Sequence, residues 1–203
     1  MEKELVRKAI HLSSIFFLVV YFIFYYLFSH KVALVALCGL LVILIELEYV
    51  RIELKEKIPV ISWFWKFRRR KERAQLGSDV FFLIGAIIAL AVFDTRVAIA
   101  AILMTTFGDM VSSLVNLVGR LKVYKGKTLE GVVGQFAVDL LIGFFFVRSA
   151  WIGLFPSGEV LWLPVVIMAF TATAVETFIR KIDDNLLIPV FAGLAGHVAL
   201  MFL

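Results

Sequence analysis

Seven long apolar runs, set apart by short polar breaks, leave few folds open to this chain. They cover roughly residues 12–28, 32–50, 78–93, 97–118, 132–147, 160–179 and 186–203. A helix needs about 20 residues to cross a bilayer, with a range of roughly 17–25. The third and fifth runs are short and must borrow flanking residues. Within each run the hydrophobicity is continuous rather than alternating, and lipid admits only helices or closed barrels. The pattern therefore predicts an all-α, polytopic transmembrane bundle of about seven spans, with strands unlikely. Composition agrees: 62% of residues are hydrophobic, 18% are charged, and the mean hydropathy is +0.98. A soluble domain would be about half apolar and a quarter charged. The length suits one membrane domain over residues 1–203 and no sizeable soluble one. The lone cysteine, Cys38, rules out an intramolecular disulfide. No cleavable signal peptide is expected, because the first run lacks a small-residue cleavage site and further spans follow.

Charge orients the bundle. With the N-terminus inside, the inner segments hold Lys3, Arg7 and Lys8, nine basic residues from Arg51 to Arg73, four from Arg120 to Lys127, and Arg180 with Lys181. Only Lys31, Arg96 and Arg148 fall outside. That asymmetry predicts a cytoplasmic N-terminus and an external C-terminus. The long inner loop, 51–73, sets Trp63, Phe64, Trp65 and Phe67 beside Arg68, Arg69, Arg70 and Lys71. Aromatic residues next to a basic run fit a segment lying in the interface, either as an anchor or with some cations facing a polyanion. No nucleic-acid partner is expected.

Polar residues inside spans are costly and mark function more often than chance. Asp109, Ser112, Ser113, Asn116 and Arg120 are spaced to share one helix face. This stripe is either a packing seam or the wall of a polar cavity. The following loop, 119–131, carries Arg120, Lys122, Lys125 and Lys127 among Gly119, Gly126 and Gly131, a composition suited to phosphate. Gly126-Lys127-Thr128 imitates the end of a P-loop, but Leu121 stands where that motif needs its first glycine. As a loop cation, Lys127 is expected to matter little to helix packing. Asp139, mid-run, either pairs with a cation or joins the site. Glu176 and Arg180 are four apart and suit a helix ion pair. Asp183, Asp184 and Asn185 suit either a helix cap or, with Glu176, a magnesium site completed by water and phosphate oxygens. Arg7, Lys8 and His11 cluster before the first span, as topology-setting charge or as part of the site.

Taken together, Arg7-Lys8-x-x-His11, the segment from Gly77 to Gly85 with Phe81 and Phe82, Gly108-Asp109, Lys127-Thr128-Leu129-Glu130-Gly131, and Glu176 followed by Asp183-Asp184-Asn185 resemble the CTP-dependent lipid kinases. That family includes dolichol kinase, phytol kinase and CTP-dependent diacylglycerol kinase, and is distantly related to phosphatidate cytidylyltransferases. One position departs: Asn116 stands where the family usually has glycine. The resemblance implies a phosphotransferase moving the γ-phosphoryl of CTP to an isoprenoid alcohol, dolichol or another polyprenol, at the cytoplasmic face of a cell or endoplasmic reticulum membrane. It implies CTP contacts from Lys122, Lys125, Lys127, Thr128, Glu130, Gly131, Arg7, Lys8 and His11. It implies magnesium held among Asp109, Glu176, Asp183, Asp184 and Asn185, with Asp109 or Asp184 accepting the alcohol proton. A homodimer is compatible with the sequence. The rival readings are a cytidylyltransferase making a CDP-lipid, whose His-Gly-Gly signature is absent, and a small ion-coupled transporter using Asp109 and Asp139, for which there is no obvious inverted repeat. A prenyltransferase is weaker, lacking an Asp-x-x-x-Asp pair on an inner segment.

Overall fold

The computed structural model describes residues 12, 14–54, 75–124, 126–152, 155–179 and 182–203. Arg7, Lys8, His11, Lys125, Arg180, Lys181 and most of the basic loop lie outside these residues. The chain divides into two compact units, 1–87 and 88–203.

In the first unit, α1 (Ile15–Leu27) and α2 (His30–Tyr49) are joined by a short turn, and a π-helical turn (Val50–Leu54) extends α2. Ser29 caps α2, its hydroxyl accepting from Val32 N at 3.4 Å. The Tyr21 hydroxyl lies 2.8 Å from His30 Nδ1 and ties the two helices together. Glu48 is buried and paired with Arg51 at 2.5 Å; it also accepts from Gly77 N, while Arg51 donates to Gln75 O. The two ends of the basic loop are thereby fastened to each other. The helix α3 (Ser78–Val92) follows and runs across the boundary between the units.

The second unit is organised by one 22-residue rod, Thr95–Asn116. It comprises α4 (Thr95–Leu103), a π-helical turn (Met104–Gly108) and α5 (Asp109–Asn116). At about 1.5 Å per residue the rod spans about 33 Å, close to the thickness of a hydrocarbon core. Val97 to Ile102 are entirely buried, so α4 is the centre of the unit rather than a lipid-facing helix. Around the rod pack α6 (Leu129–Phe146), α7 (Trp162–Phe178) and α8 (Asp184–Leu200). The core joins Val97, Ala101 and Met104 to Val165, Met168, Ala172, Ile188 and Ala192. Small residues permit the close approach: a side chain at Gly196 would collide with Met168 and Val97.

All seven apolar runs coincide with helices. Three stretches are long and apolar enough to cross a membrane among the described residues: His30–Glu53, Thr95–Asn116 and Leu129–Phe146. Four more apolar helices are shorter: Ile15–Leu27, Ser78–Val92, Trp162–Phe178 and Asp184–Leu200. The runs themselves hold no strand residue among the described residues save Val160, but two small antiparallel hairpins occur between them there, β1 (Lys122–Tyr124) with β2 (Lys127–Thr128), and β3 (Arg148–Ile152) with β4 (Phe155–Val160). Both lie in the polar breaks. Gly126 and Gly158 supply the positive φ, 92° and 75°, that their turns require.

At the end of the unit formed by the start of α4, the end of α6 and the end of α8, Asp94 and Arg96 fasten the elements. Asp94 Oδ1 accepts from Arg96 N and Nε, both at 2.9 Å, and Asp94 N donates to His197 Nδ1 at 3.1 Å. Arg96 Nη1 donates to the Arg148 and Ser149 carbonyls. Burial acts to raise the Asp94 pKa, but the hydrogen bonds and charge of Arg96 outweigh it and hold the carboxyl below its ordinary 3.8. A carboxyl lowered in the folded state stabilises above its unfolded pKa and loses that contribution as pH falls through the folded value. Asp94→Asn is therefore expected to unfold at lower temperature than the wild type at neutral pH. The gap should close as the pH drops below 3.8. Thermal unfolding in detergent across pH 7 to about 2 checks this; a gap independent of pH would remove the charge from the account.

Candidate active site

The opposite end of the second unit gathers the end of α5, the β1–β2 hairpin, the start of α6, the end of α7 and the start of α8. Asp109 begins α5 directly after the π-helical turn. Thr105 and Thr106 are buried there and return their hydroxyls to the Ala101 and Ile102 carbonyls. Such turns wind the helix more loosely and are common at functional sites. Ser113 Oγ donates to Asp109 Oδ1 at 3.3 Å, and Asn116 Nδ2 reaches Ser112 Oγ at 3.4 Å, so the polar stripe is tied in two pairs; Arg120, expected on the same helix face, lies beyond the end of α5.

Asn116 closes the loop that follows. Its Oδ1 accepts from Thr128 N at 2.7 Å and from Thr128 Oγ1 at 2.9 Å. Thr128 in turn caps α6, its hydroxyl accepting from Gly131 N. Gly131 lies so close to the Asn116 amide that a Cβ there would overlap it. The Glu130 carboxylate is exposed to water yet accepts from Arg120 N at 3.0 Å and Leu121 N at 3.3 Å. Thr128, Glu130 and Gly131 thus brace the loop, and Asn116 is the clasp.

This bracing delivers Lys127 inward. Its ammonium pairs with Glu176 Oε1 and also reaches Ser112 Oγ at 3.2 Å. The Glu176 side chain has no exposed surface and that of Lys127 is 14% exposed. The expectation of a loop cation indifferent to helix packing is corrected: Lys127 is half of a buried ion pair that joins β2 to α7. Asp109 and Asp184 stand near enough to act on the Glu176 charge, and Glu176 on that of Asp139. Carboxylates from α5, α6, α7 and α8 thus act on one another's charge at this end of the unit.

Elsewhere, Lys122 is exposed on β1. Asp183 caps α8, its Oδ1 accepting from Asn185 N at 3.1 Å and Nδ2 at 2.8 Å, while Asn185 Oδ1 is buried with no hydrogen-bond partner among the described residues. Asp139 has no cation bonded to it among these residues. Its Oδ2 accepts from Thr173 Oγ1 at 3.4 Å, and its Oδ1 lies against Gly108, where a Cβ would come within 2.5 Å. Gln135, one turn away on the same face of α6, is completely buried and near enough to act on Asp139, yet among the described residues neither amide atom makes a hydrogen bond of good geometry. No motif in the sequence marks Gln135 or Thr173, although Gln135 stands four residues before Asp139.

Among the described residues no three His, Cys, Asp or Glu side chains converge into a ready-made metal cage. The donors fit magnesium in another way. They are oxygens, they come from separate helices, and Glu176 Oε2 is buried without a hydrogen-bond partner among the described residues. A hard ion that keeps water and phosphate oxygens as most of its ligands needs only one or two such carboxylates.

Comparison with known proteins yields two distant relatives. An uncharacterised protein of Methanocaldococcus jannaschii is 29% identical over 143 residues, covering 69% of this chain and 68% of its own length. The CTP-dependent diacylglycerol kinase 1 of Schizosaccharomyces pombe is 29% identical over 138 residues, covering 62% of this chain and 61% of its own length. No family model and no solved structure matches the chain.

Proposed function

We propose that this chain is a CTP-dependent lipid kinase that transfers the γ-phosphoryl group to the hydroxyl of a membrane alcohol. An isoprenoid alcohol, dolichol or another polyprenol, is the acceptor that the sequence resemblance favours. The observation that carries the reading is the buried Lys127–Glu176 pair beside Asp109 and Asp184, on a loop clasped by Asn116 and Thr128. The distant similarity to a kinase that uses CTP supports it.

In this reading the bond between the β–γ bridging oxygen and the γ-phosphorus breaks, a bond from that phosphorus to the lipid oxygen forms, and CDP leaves. The hydroxyl proton passes to a carboxylate, Asp109 or Asp184. Little covalent chemistry falls to the protein, whose task is positioning and charge neutralisation. Lys127 exchanges Glu176 for phosphate oxygens when the nucleotide arrives, which frees Glu176 Oε1. Lys122 would add a cation for the polyphosphate, the sequence resemblance would add Lys125, Arg7, Lys8 and His11, and Glu130, Thr128 and Gly131 hold the loop that presents Lys127. Asp109, Glu176 and Asp184, with Asp183 and Asn185 at the α8 start, would hold magnesium, which when bound offsets the charge on the phosphates.

The seven helices form one membrane domain, with this site facing the cytoplasm, where water-soluble CTP meets a membrane-held alcohol. A reporter fused after Leu203 should then lie outside, and tags within 55–73 or 121–128 inside. A cytoplasmic C-terminus would overturn the seven-span arrangement. The activity itself is tested with purified protein, γ-labelled CTP and a panel of lipids. Label in the lipid with CDP released is expected; pyrophosphate release would mean a cytidylyltransferase instead.

A further inference from the structure

Gly131, Gln135 and Asp139 recur every four residues along one buried face of α6. The first packs on Asn116, and the other two crowd Gly108. Gln135 and Asp139 are both fully buried, yet neither polar atom of Gln135 has a hydrogen-bond partner among the described residues, and nor has Asp139 Oδ1. Thr173 reaches Asp139 Oδ2 across the α6–α7 interface at the long distance of 3.4 Å. Buried polar groups are normally satisfied, and a helix in lipid has no water to fall back on. A packing seam would be served as well by leucine. The two N–H of the Gln135 amide and the two unpartnered oxygens leave donors and acceptors open together, and a small group that both donates and accepts, such as a hydroxyl, meets most of them.

The location adds to this. Thr173 lies one turn before Glu176 on α7, and the Glu176 charge acts on Asp139. The polar track therefore leads from the Lys127–Glu176 pair toward the interior of the helix bundle. Its own charged groups are carboxylates, Asp139 on α6 and Glu176 on α7, with Asp109 on α5 and Asp184 on α8 beyond. Among the described residues no cation bonds to Gln135, Asp139 or Thr173, and Lys127 is engaged by Glu176. An anionic headgroup would meet like charge there, whereas an uncharged hydroxyl would not.

We infer that Gln135, Asp139 and Thr173 form a subsite for the hydroxyl of an uncharged acceptor lipid, and that this subsite discriminates against a lipid phosphate. The inference rests on the proposed kinase reading for what the bound hydroxyl then undergoes. The same hydrogen bonds would suit a permanently buried water, so the test separates the two.

The full chain is assayed in mixed micelles at saturating CTP, with geranylgeraniol or dioctanoylglycerol as acceptor and phosphatidate as competitor. Gln135→Met and Thr173→Val keep volume and remove hydrogen-bonding groups. Each is expected to raise the acceptor KM about tenfold, the value of roughly one good hydrogen bond, with the CTP KM unchanged. Phosphatidate should compete poorly. Unchanged acceptor KM with a lowered unfolding temperature would mean a structural water only, and equal competition by phosphatidate would overturn the discrimination. A measurement independent of transfer and of variant folding uses wild-type protein without nucleotide. The alcohol should raise its thermal midpoint and the matching hydroxyl-free hydrocarbon should not; equal protection by the hydrocarbon overturns the subsite. Protection by the alcohol in a protein that transfers nothing from CTP would leave the subsite standing and overturn the kinase reading alone.

Discussion

On the proposed kinase reading, Asp109→Asn and Asp184→Asn are each expected to lower phosphoryl transfer by about a hundredfold to a thousandfold, with membrane insertion and folding intact. Asparagine keeps the size of aspartate and its amide oxygen can still accept the bond from Ser113 at position 109. What it loses is the charge that attracts a hard cation and the basicity that takes a proton from an alcohol. Removing either carboxylate also relieves repulsion on Glu176, since both act on its charge. A packing seam makes the contrary prediction for activity, because a neutral amide suits a helix interface at least as well as a carboxylate. Transfer measured over rising magnesium concentrations decides between them. Near-normal rates with unchanged magnesium dependence in both variants would strip these carboxylates of their role.

Local features of this molecule were legible in its sequence, and long-range pairings were not. Each apolar run became a helix because continuous hydrophobicity constrains a segment through its own residues. Helical spacing alone gives the stripe of Asp109, Ser112, Ser113 and Asn116, whose hydrogen bonds join residues four apart, but the same spacing also included Arg120, which lies past the end of the helix. The π-helical turn before Asp109 leaves no mark in the pattern, since Thr105, Thr106 and Gly108 are equally at home in an ordinary helix. Lys127 and Glu176 are 49 residues apart, and Asp94 and His197 are 103 apart. Nothing in the spacing of either pair announces a partner. The same ignorance made Lys127 read as an open loop cation. The motif around it was visible, but the division of labour within it was not. Glu130 and Gly131 look like ligand contacts in sequence, and in the fold one holds backbone N–H groups while the other makes room for Asn116. Gln135 is the instructive omission, since an amide four residues before a buried aspartate in an apolar run could have been read as part of the same face.

The buried pair turns Lys127 into a residue with two separable roles, and a double substitution separates them. Lys127→Ala alone leaves Glu176, whose side chain has no exposure, without its cation and next to Asp109 and Asp184. Breaking a buried ion pair from one side costs about 3–5 kcal/mol, because the remaining charge is stranded. The single variant is therefore expected to lose much of its folded population in detergent, which by itself would say nothing about the nucleotide. Adding Glu176→Gln removes the stranded charge while keeping its shape and a hydrogen-bonding oxygen. Lys127→Ala with Glu176→Gln should thus recover most of the lost thermal stability, the coupling being read from the four corners of a double-mutant cycle. Activity should not recover with it. A phosphate that has lost its ammonium partner forfeits a charge-assisted contact, and the folded double variant should need about tenfold to a hundredfold more CTP for the same rate. Glu176→Gln alone belongs in the set, because it leaves Lys127 free for phosphate and so isolates any part that Glu176 plays in metal binding. Two results would undo the argument from opposite sides. A stable Lys127→Ala protein with normal CTP dependence would show that the pair supports neither fold nor site. A double variant that is both stable and active at wild-type CTP concentrations would leave the pair a structural clamp, and the phosphate-binding role would have to pass to another cation.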